Sequence, residues 1–338
     1  MDAPAPPPLP CLGVFLAYWP WIGPGEQVEL AEIADRGGLD ALWVAEAWGQ
    51  EVVATLGALS ARTSRIALGT AVMQIPARRP ATAAMAAATL QMLSGGRFRL
   101  GLGVSGPQVS EGWYEQPFDR PVSRTRRYVE VVRAALAGDE LPPDDDVGGE
   151  MPRLKLLLPR DRQPPPIYLG ALGPRAIDQC YAIADGWLPF IVGTDMLGER
   201  PRPDRPFDVS PVVPLAVAAT VEEARDAVRP WLGFYFGAMG TPKKHFLIEL
   251  AERQGLGASA REAQRCYLAG DRDGAGAVLA DELIDATAIA TTPDRVAGRL
   301  RELRSAGADS VISVPLGDRR AAVETLVAVR SSDVDIAP

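Results

Sequence analysis

Apolar runs of strand length alternate with stretches of helical period along nearly the whole chain. Residues 12–18 (LGVFLAY) read as a buried strand, and 26–37 follow with Val28, Leu30 and Ile33 at helical spacing. The Gly37-Gly38 pair then stops that helix. The same alternation predicts strands at 40–44, 66–73 and 98–104, and helices at 52–62, 81–93 and 123–137. Further on, strands at 166–171 and 186–191 flank a helix at 174–184. A strand at 212–218 and a helix at 221–235 precede a polar helical segment over 243–280. A helix at 293–306, a strand at 310–315 and a helix at 319–330 complete the series. Eight strand-like runs, nearly each followed by a helix, predict an α/β fold: a (β/α)8 TIM-like barrel with insertions. A doubly wound open sheet comes second, because the alternation continues without a second-domain break.

Residues 1–10 (MDAPAPPPLP) contain five prolines and read as a disordered, polyproline-like arm. Residues 11–330 then form one barrel domain, with insertions near 138–165, 193–211 and 236–280; the first two are rich in turn-forming residues. Met85, Thr89 and Met92 recur at helical spacing and are assigned to the core. No apolar run is long enough for a signal or a membrane span, which predicts a cytoplasmic protein with no membrane partner.

Composition narrows the chemistry. At 47 % hydrophobic and 23 % charged residues, the 338-residue chain can build a large core. Its net charge of −8 repels nucleic acid, so no nucleic-acid partner is expected. Cys11, Cys180 and Cys266 are widely spaced, which argues against a disulfide scaffold or a Cys-based zinc site. A single histidine, His245, excludes a His-rich metal centre, and no metal is assigned.

Catalysis in such barrels sits where the strands end. Here strand one runs into Tyr18-Trp19-Pro20-Trp21, and strand two into Ala45-Glu46-Ala47-Trp48. Strand three runs into Ala71, Val72, Met73 and Gln74, and strand four into Ser105-Gly106-Pro107-Gln108. Aromatic walls with few ionisable groups suit a flat redox heterocycle better than a hydrolytic site. Strand five runs into Gly170-Ala171-Leu172-Gly173-Pro174-Arg175, where free N–H groups at a helix start can face a phosphate. A tight turn is the plainer use of those glycines, and neither a dinucleotide nor a P-loop fingerprint is present.

Leu93-Ser94-Gly95-Gly96-Arg97-Phe98, followed by Leu100-Gly101-Leu102-Gly103, resembles the helix-three to strand-four signature of the bacterial luciferase-like monooxygenase superfamily. Residues 101–118 (GLGVSGPQVSEGWYEQPF) are similar to its coenzyme F420-dependent branch, and 68–73, 166–175 and 184–187 match further strands. The resemblance spans roughly residues 11–330. It implies a deazaflavin held at the C-terminal mouth of a TIM-like barrel and a homodimer, with helices around 80–93 and 111–128 offering an apolar face. It implies Glu46 near the ring, a non-proline cis peptide at Ala71–Val72, Ser105 and Gly106 along ring and ribityl chain, and Gly170, Ala171, Leu172 and Gly173 at the cofactor phosphate. In dehydrogenases of this branch a histidine follows the strand-two acid; here the position is Ala47. Without that base, reduction of an unsaturated acceptor by reduced F420 is favoured over alcohol oxidation. Glu46 and Tyr18 are then the proton managers, with Gln74 and Gln108 as orienting partners. Two alternatives stay open: an FMN-dependent monooxygenase using O2, and a non-catalytic deazaflavin carrier or scaffold.

The remaining polar clusters read as surface. Arg124, Arg126 and Arg127 form a solvated helix face, and Asp144, Asp145 and Asp146 a loop without calcium-binding spacing. Lys243, Lys244 and His245 read as a solvated helix start, with a substrate-carboxylate clamp as the alternative.

Overall fold

The computed structural model describes residues 7–143, 152–157, 159, 163–240 and 245–334. Asp144, Asp145, Asp146, Lys243 and Lys244 lie outside them, as do the first six residues of the proline-rich arm. Eight parallel strands form the centre: β1 (Cys11–Leu16), β2 (Ala41–Val44), β3 (Ala67–Thr70), β4 (Phe98–Gly103), β5 (Ile167–Leu169), β6 (Gly186–Trp187), β7 (Val212–Val217) and β8 (Ser310–Pro315). They neighbour one another in chain order, and β8 lies between β7 and β1 with Cys11 opposite Ser310. Between β6 and β7 the ladder passes through the short strand Asp208–Val209 and a parallel bridge from Phe190 to Val212. The curled sheet thus closes on itself, in the expected barrel-like α/β arrangement.

Strand interiors are apolar on both faces because helices cover the outside and side chains fill the lumen. Trp43 of β2 fills the lumen between Gly13 and Gly69, and its ring meets Tyr168 of β5 at 5.1 Å. Helix α1 (Pro24–Arg36) starts with proline in its first turn and buries Leu30, Ala31 and Ala34. Helices α2 (Val52–Ser60), α3 (Pro80–Leu93), α4 (Pro107–Gly112), α5 (Pro121–Ala137) and α6 (Pro174–Ile183) follow β2 to β5. After β7 comes α7 (Val221–Ala238), opened by a capping box between Thr220 and Glu223. On it pack α8 (Phe246–Arg253), α9 (Gly257–Leu268) and α10 (Arg272–Ala277).

Several expectations are corrected. Met85 and Met92 are 57 % and 46 % exposed, and Thr89 is exposed too. The buried face of α3 is Ala83, Ala84, Ala87 and Leu90. That helix is apolar all round, so periodicity did not separate its faces, and small alanines permit the close approach to the sheet. Leu9 is buried and the Pro7 carbonyl accepts from Arg301 Nε at 3.1 Å, so the end of the arm is docked. The expected third strand breaks after Thr70. The strand Ile289–Thr291 beside β7, helix α4 and the strand Asp208–Val209 are too short to carry a period. All three cysteines are unpaired. No described helix is long and apolar enough to cross a membrane.

Asp35, at the end of α1, latches that helix to the start of β3. Its carboxylate accepts from the N–H groups of Arg65 and Ile66 at 2.8 Å each, and of Ser64 at 3.0 Å. Burial opposes ionisation, but these donors outweigh it and hold the carboxyl below its usual range. Stability from this latch is therefore complete above the ordinary carboxylate pKa and fades as pH falls through the lowered one. Asp35→Ala is expected to cost about 1.5–3 kcal/mol at neutral pH. Urea unfolding at pH 7 and pH 3 checks it: the cost should shrink in acid, and an equal cost at both rules the latch out.

Candidate active site

At the C-terminal end of the barrel, β3 leaves its ladder. Thr70 Oγ1 donates to the Gly101 carbonyl at 2.7 Å and accepts from the Gly101 N–H at 2.9 Å, a side chain replacing ladder bonds. The following peptide, Ala71–Val72, is cis, as the resemblance implies. The chain then rejoins β4, with Met73 opposite Leu102 and Gln74 opposite Gly103. Val72 lies against two glycines: a Cβ at Gly103 would stand 2.5 Å from its Cγ2, and one at Gly170 3.2 Å from its Cγ1. The ends of β3, β4 and β5 therefore form one smooth cradle that only glycine permits. Beyond it, Ser105 and Ile191 hold φ of 60° and 52°. A left-handed, β-branched Ile191 costs about 1–3 kcal/mol, a strain typical of functional loops.

Glu46 is buried at the end of β2, and both its oxygens are engaged. Arg78 grips them at 2.5 and 2.9 Å, while Oε2 accepts from the Gln74 N–H at 2.8 Å and Oε1 from the Val52 N–H at 3.4 Å. Arg78 also reaches Glu51 at 2.9 Å. Burial works against the guanidinium's charge, but Glu46 outweighs it and raises the Arg78 pKa. Glu46, the expected proton manager, is thus ion-paired to Arg78. Gln74 donates its amide to the Glu46 carbonyl at 2.7 Å, which turns Oε1 away, buried and without a partner among the described residues. By register Gln74 shares the face of Gly103, the cradle side.

The opposite half of the mouth is aromatic. Phe15 of β1 meets Phe190 at 6.4 Å between ring centroids, and Phe190 meets Tyr235 of α7 at 4.8 Å. Trp231 and Phe234 close on Tyr235 at 4.8 and 5.2 Å. Tyr18 joins this group through a 3.5 Å contact between its hydroxyl and that of Tyr235. Burial pushes the pKa of both tyrosines up, so both are neutral at working pH. Half-exposed Trp19 and Trp48 form the rim.

Gly170, Ala171, Leu172 and Gly173 link β5 to α6, and the Ala171 carbonyl is fixed by Trp187 Nε1 at 2.8 Å. Ala176 and Ile177 N–H groups both turn back to the Gly173 carbonyl at 3.0 Å. Pro174 has no N–H, which leaves that of Arg175 at the first turn of α6, and a Cβ at the Gly173 cap would meet Phe246 of α8 at 3.7 Å. Gln108 stands apart from the cradle: it is exposed and donates to the Gly240 carbonyl, joining α4 to the segment after α7. Gly106 caps α4 beside it. His245 is not solvated. It is buried, caps α8 by accepting from the Ile248 N–H at 3.4 Å, and burial lowers its pKa.

Arg78 and Tyr235 were missed by sequence reasoning. Arg78 sits beside Arg79 before a helix-starting proline, where a surface role is the default reading. Tyr235 lies within the run Trp231-Leu232-Gly233-Phe234-Tyr235-Phe236, which reads as core. The arrangement suits a flat heterocycle: the glycine cradle accepts a plane, the orphaned Gln74 Oε1 awaits an N–H, and the α6 N-terminus suits a phosphate.

The model of the luciferase-like monooxygenase family matches residues 20–310. A Mycobacterium tuberculosis protein, provisionally named a coenzyme F420-dependent oxidoreductase, is 34 % identical over 325 residues, covering 89 % of this chain and 94 % of its own. The 5,10-methylenetetrahydromethanopterin reductase of Methanolobus tindarius is 26 % identical over 308 residues, covering 86 % and 90 %. In structure, the coenzyme F420-dependent tetrahydromethanopterin reductase of Methanopyrus kandleri superposes with a TM-score of 0.80 at 22 % identity, over 94 % of this chain and 97 % of the other. With the barrel, the cis peptide and a family match across most of its length, this chain belongs to the luciferase-like monooxygenase family.

Proposed function

We propose that the protein is a coenzyme F420-dependent oxidoreductase that reduces an unsaturated acceptor, a C=C, C=N or C=O bond in a small molecule or peptide. Dehydroamino acids and other intermediates of specialised metabolism fall within this class. The cofactor assignment is supported by relatives, matched over most of their length, that are named for coenzyme F420 or for methylenetetrahydromethanopterin reduction. The observation that carries the direction is the end of β2: Glu46 is locked to Arg78 and the next residue is Ala47, so no free base stands there. Alcohol oxidation requires a group that is unprotonated at working pH, whereas Tyr18, kept neutral by burial, is poised to donate.

When bound, reduced F420 supplies the hydride. The protein's own residues do the rest. Ala71 and Val72 back the ring, with Gly103 and Gly170 making room for the Val72 side chain, Gln74 accepts an N–H at its edge, and Ser105 and Gly106 lie along the ring and side chain. The loop from Gly170 to Gly173 receives the phosphate, Glu46 braces Gln74, and Gln108 orients the rim. Tyr18 delivers the proton. In this reading the enzyme is a cytoplasmic homodimer, its contact face containing the exposed Met85, Met92 and Leu93 of α3. Light scattering at micromolar concentration is expected to give twice the chain mass; a monomer rejects the assembly.

The functional test is isotopic. Reduced cofactor deuterated at C5 is expected to leave deuterium in the product, and Ala47→His should bring no gain in rate. Reduction of oxidised F420 by sugar phosphates or simple alcohols reverses the assignment. Tight FMN binding without any response to F420 selects the O2-dependent alternative, and F420 binding without turnover over a broad acceptor panel selects the carrier.

A further inference from the structure

Tyr18 and Tyr235 are 217 residues apart in sequence and meet hydroxyl to hydroxyl at 3.5 Å. Each phenol oxygen carries one donor and two lone pairs. Tyr235 is enclosed by the rings of Phe190, Trp231 and Phe234, which offer its proton no acceptor. Among the described residues the Tyr18 oxygen is its one hydrogen-bond partner. A buried O–H left unpaired costs about 1–3 kcal/mol, so the proton of Tyr235 is directed to Tyr18. Tyr18 then accepts, and its own proton is free to point elsewhere. Its ring is held by Trp48 at 6.2 Å and by the close approach of Gly49, where a Cβ would stand 3.2 Å from Tyr18 Cδ2. The Tyr18 peptide carbonyl is also fixed, by the Trp21 N–H at 3.0 Å.

We infer that Tyr235 is a positioning residue for the reduction: its hydroxyl donates to the Tyr18 oxygen, orients that phenol and leaves the Tyr18 proton for the acceptor. This rests on the proposed function, in which Tyr18 is the proton donor. The hydride brings two electrons and forms one new bond to the acceptor. The displaced π pair takes the Tyr18 proton and forms the second. The phenolate left on Tyr18 then strengthens the Tyr235 hydrogen bond, since a charged acceptor holds a donor about twice as strongly. Solvent returns the proton to Tyr18, matching the one released when the reduced cofactor is oxidised. Burial alone would push the Tyr18 phenol up; the Tyr235 hydroxyl works against that rise, and the Trp21 side chain does so to a smaller extent.

Tyr235→Phe, Tyr18→Phe and the double variant test this. Cofactor affinity is read by F420 fluorescence, and the Tyr18 ionisation by NMR of protein labelled at tyrosine Cζ with carbon-13. The Tyr18 signal is the one that Tyr18→Phe removes. Tyr235→Phe is expected to bind F420 within about twofold of wild type and to lose about tenfold in kcat at unchanged KM. Its Tyr18 signal should titrate at higher pH than in the wild type. Tyr18→Phe should lose about 100-fold, a typical contribution of a general acid, and the double variant should be no slower. An unmoved Tyr18 titration in Tyr235→Phe overturns the inference, as do additive losses in the double variant. If the wild type turns over nothing with reduced F420, the functional reading fails, while the NMR titration still reports the pair.

Discussion

Arg78→Ala is expected to lower the unfolding free energy by about 3–5 kcal/mol, because it leaves the Glu46 carboxylate buried with no counter-charge. After the change, that carboxylate keeps only the N–H groups of Gln74 and Val52, at 2.8 and 3.4 Å. Surface ion pairs of this protein, such as Arg36 with Glu32, should contribute a few tenths of a kcal/mol by comparison. Removing both charges together, in Glu46→Gln with Arg78→Met, should recover most of the loss, since no unpaired charge is then buried. Urea unfolding of the single and double variants measures this. A single-variant loss below about 1 kcal/mol would show that the pair behaves like an exposed one. Because Glu46 also orders the Gln74 backbone, Arg78→Ala should weaken cofactor binding as well.

Gly101→Ala is the second large effect. A Cβ at this position would collide with the Thr70 carbonyl oxygen, a backbone atom that no rotamer change can move. Relief requires β3 and β4 to separate, which breaks both Thr70–Gly101 hydrogen bonds. Overpacking a core costs about 1–3 kcal/mol and more where the obstruction is rigid, so a loss of about 3 kcal/mol or above is expected. Gly57→Ala is the matched control. It lies within α2 with open space around its missing side chain, and alanine there should gain about 0.5–1 kcal/mol. Equal effects at the two positions, measured by denaturant unfolding, would refute the close-approach argument.

The barrel was legible along the chain because strand-length apolar runs and helical periods alternate eight times. That pattern needs no knowledge of long-range contacts, and the run at 310–315 matches β8 residue for residue. Glycine after the helix end carried similar information for α1 and α3, and proline at the helix start for α6. The cis peptide at Ala71–Val72 was anticipated from the resemblance of short motifs, whereas the packing of Val72 against Gly103 and Gly170 was not.

Roles within the site were not legible, because they depend on which distant side chain arrives. Glu46 looked like an acid near a ring until Arg78, 32 residues on, closed around it. Tyr235 looked like one more core aromatic until α7 brought its hydroxyl to Tyr18. His245 looked solvated beside two lysines, yet the packing of α8 buries it as a cap. The faces of α3 were reversed for a related reason: a helix apolar all round gives no moment, and the sheet selects its alanines for their size. Local patterning thus carries the elements and their order, since both arise from periodicity and turn chemistry within a few residues. Charge pairing, burial and proton direction are set by contacts between segments far apart in sequence, and only the folded chain decides them.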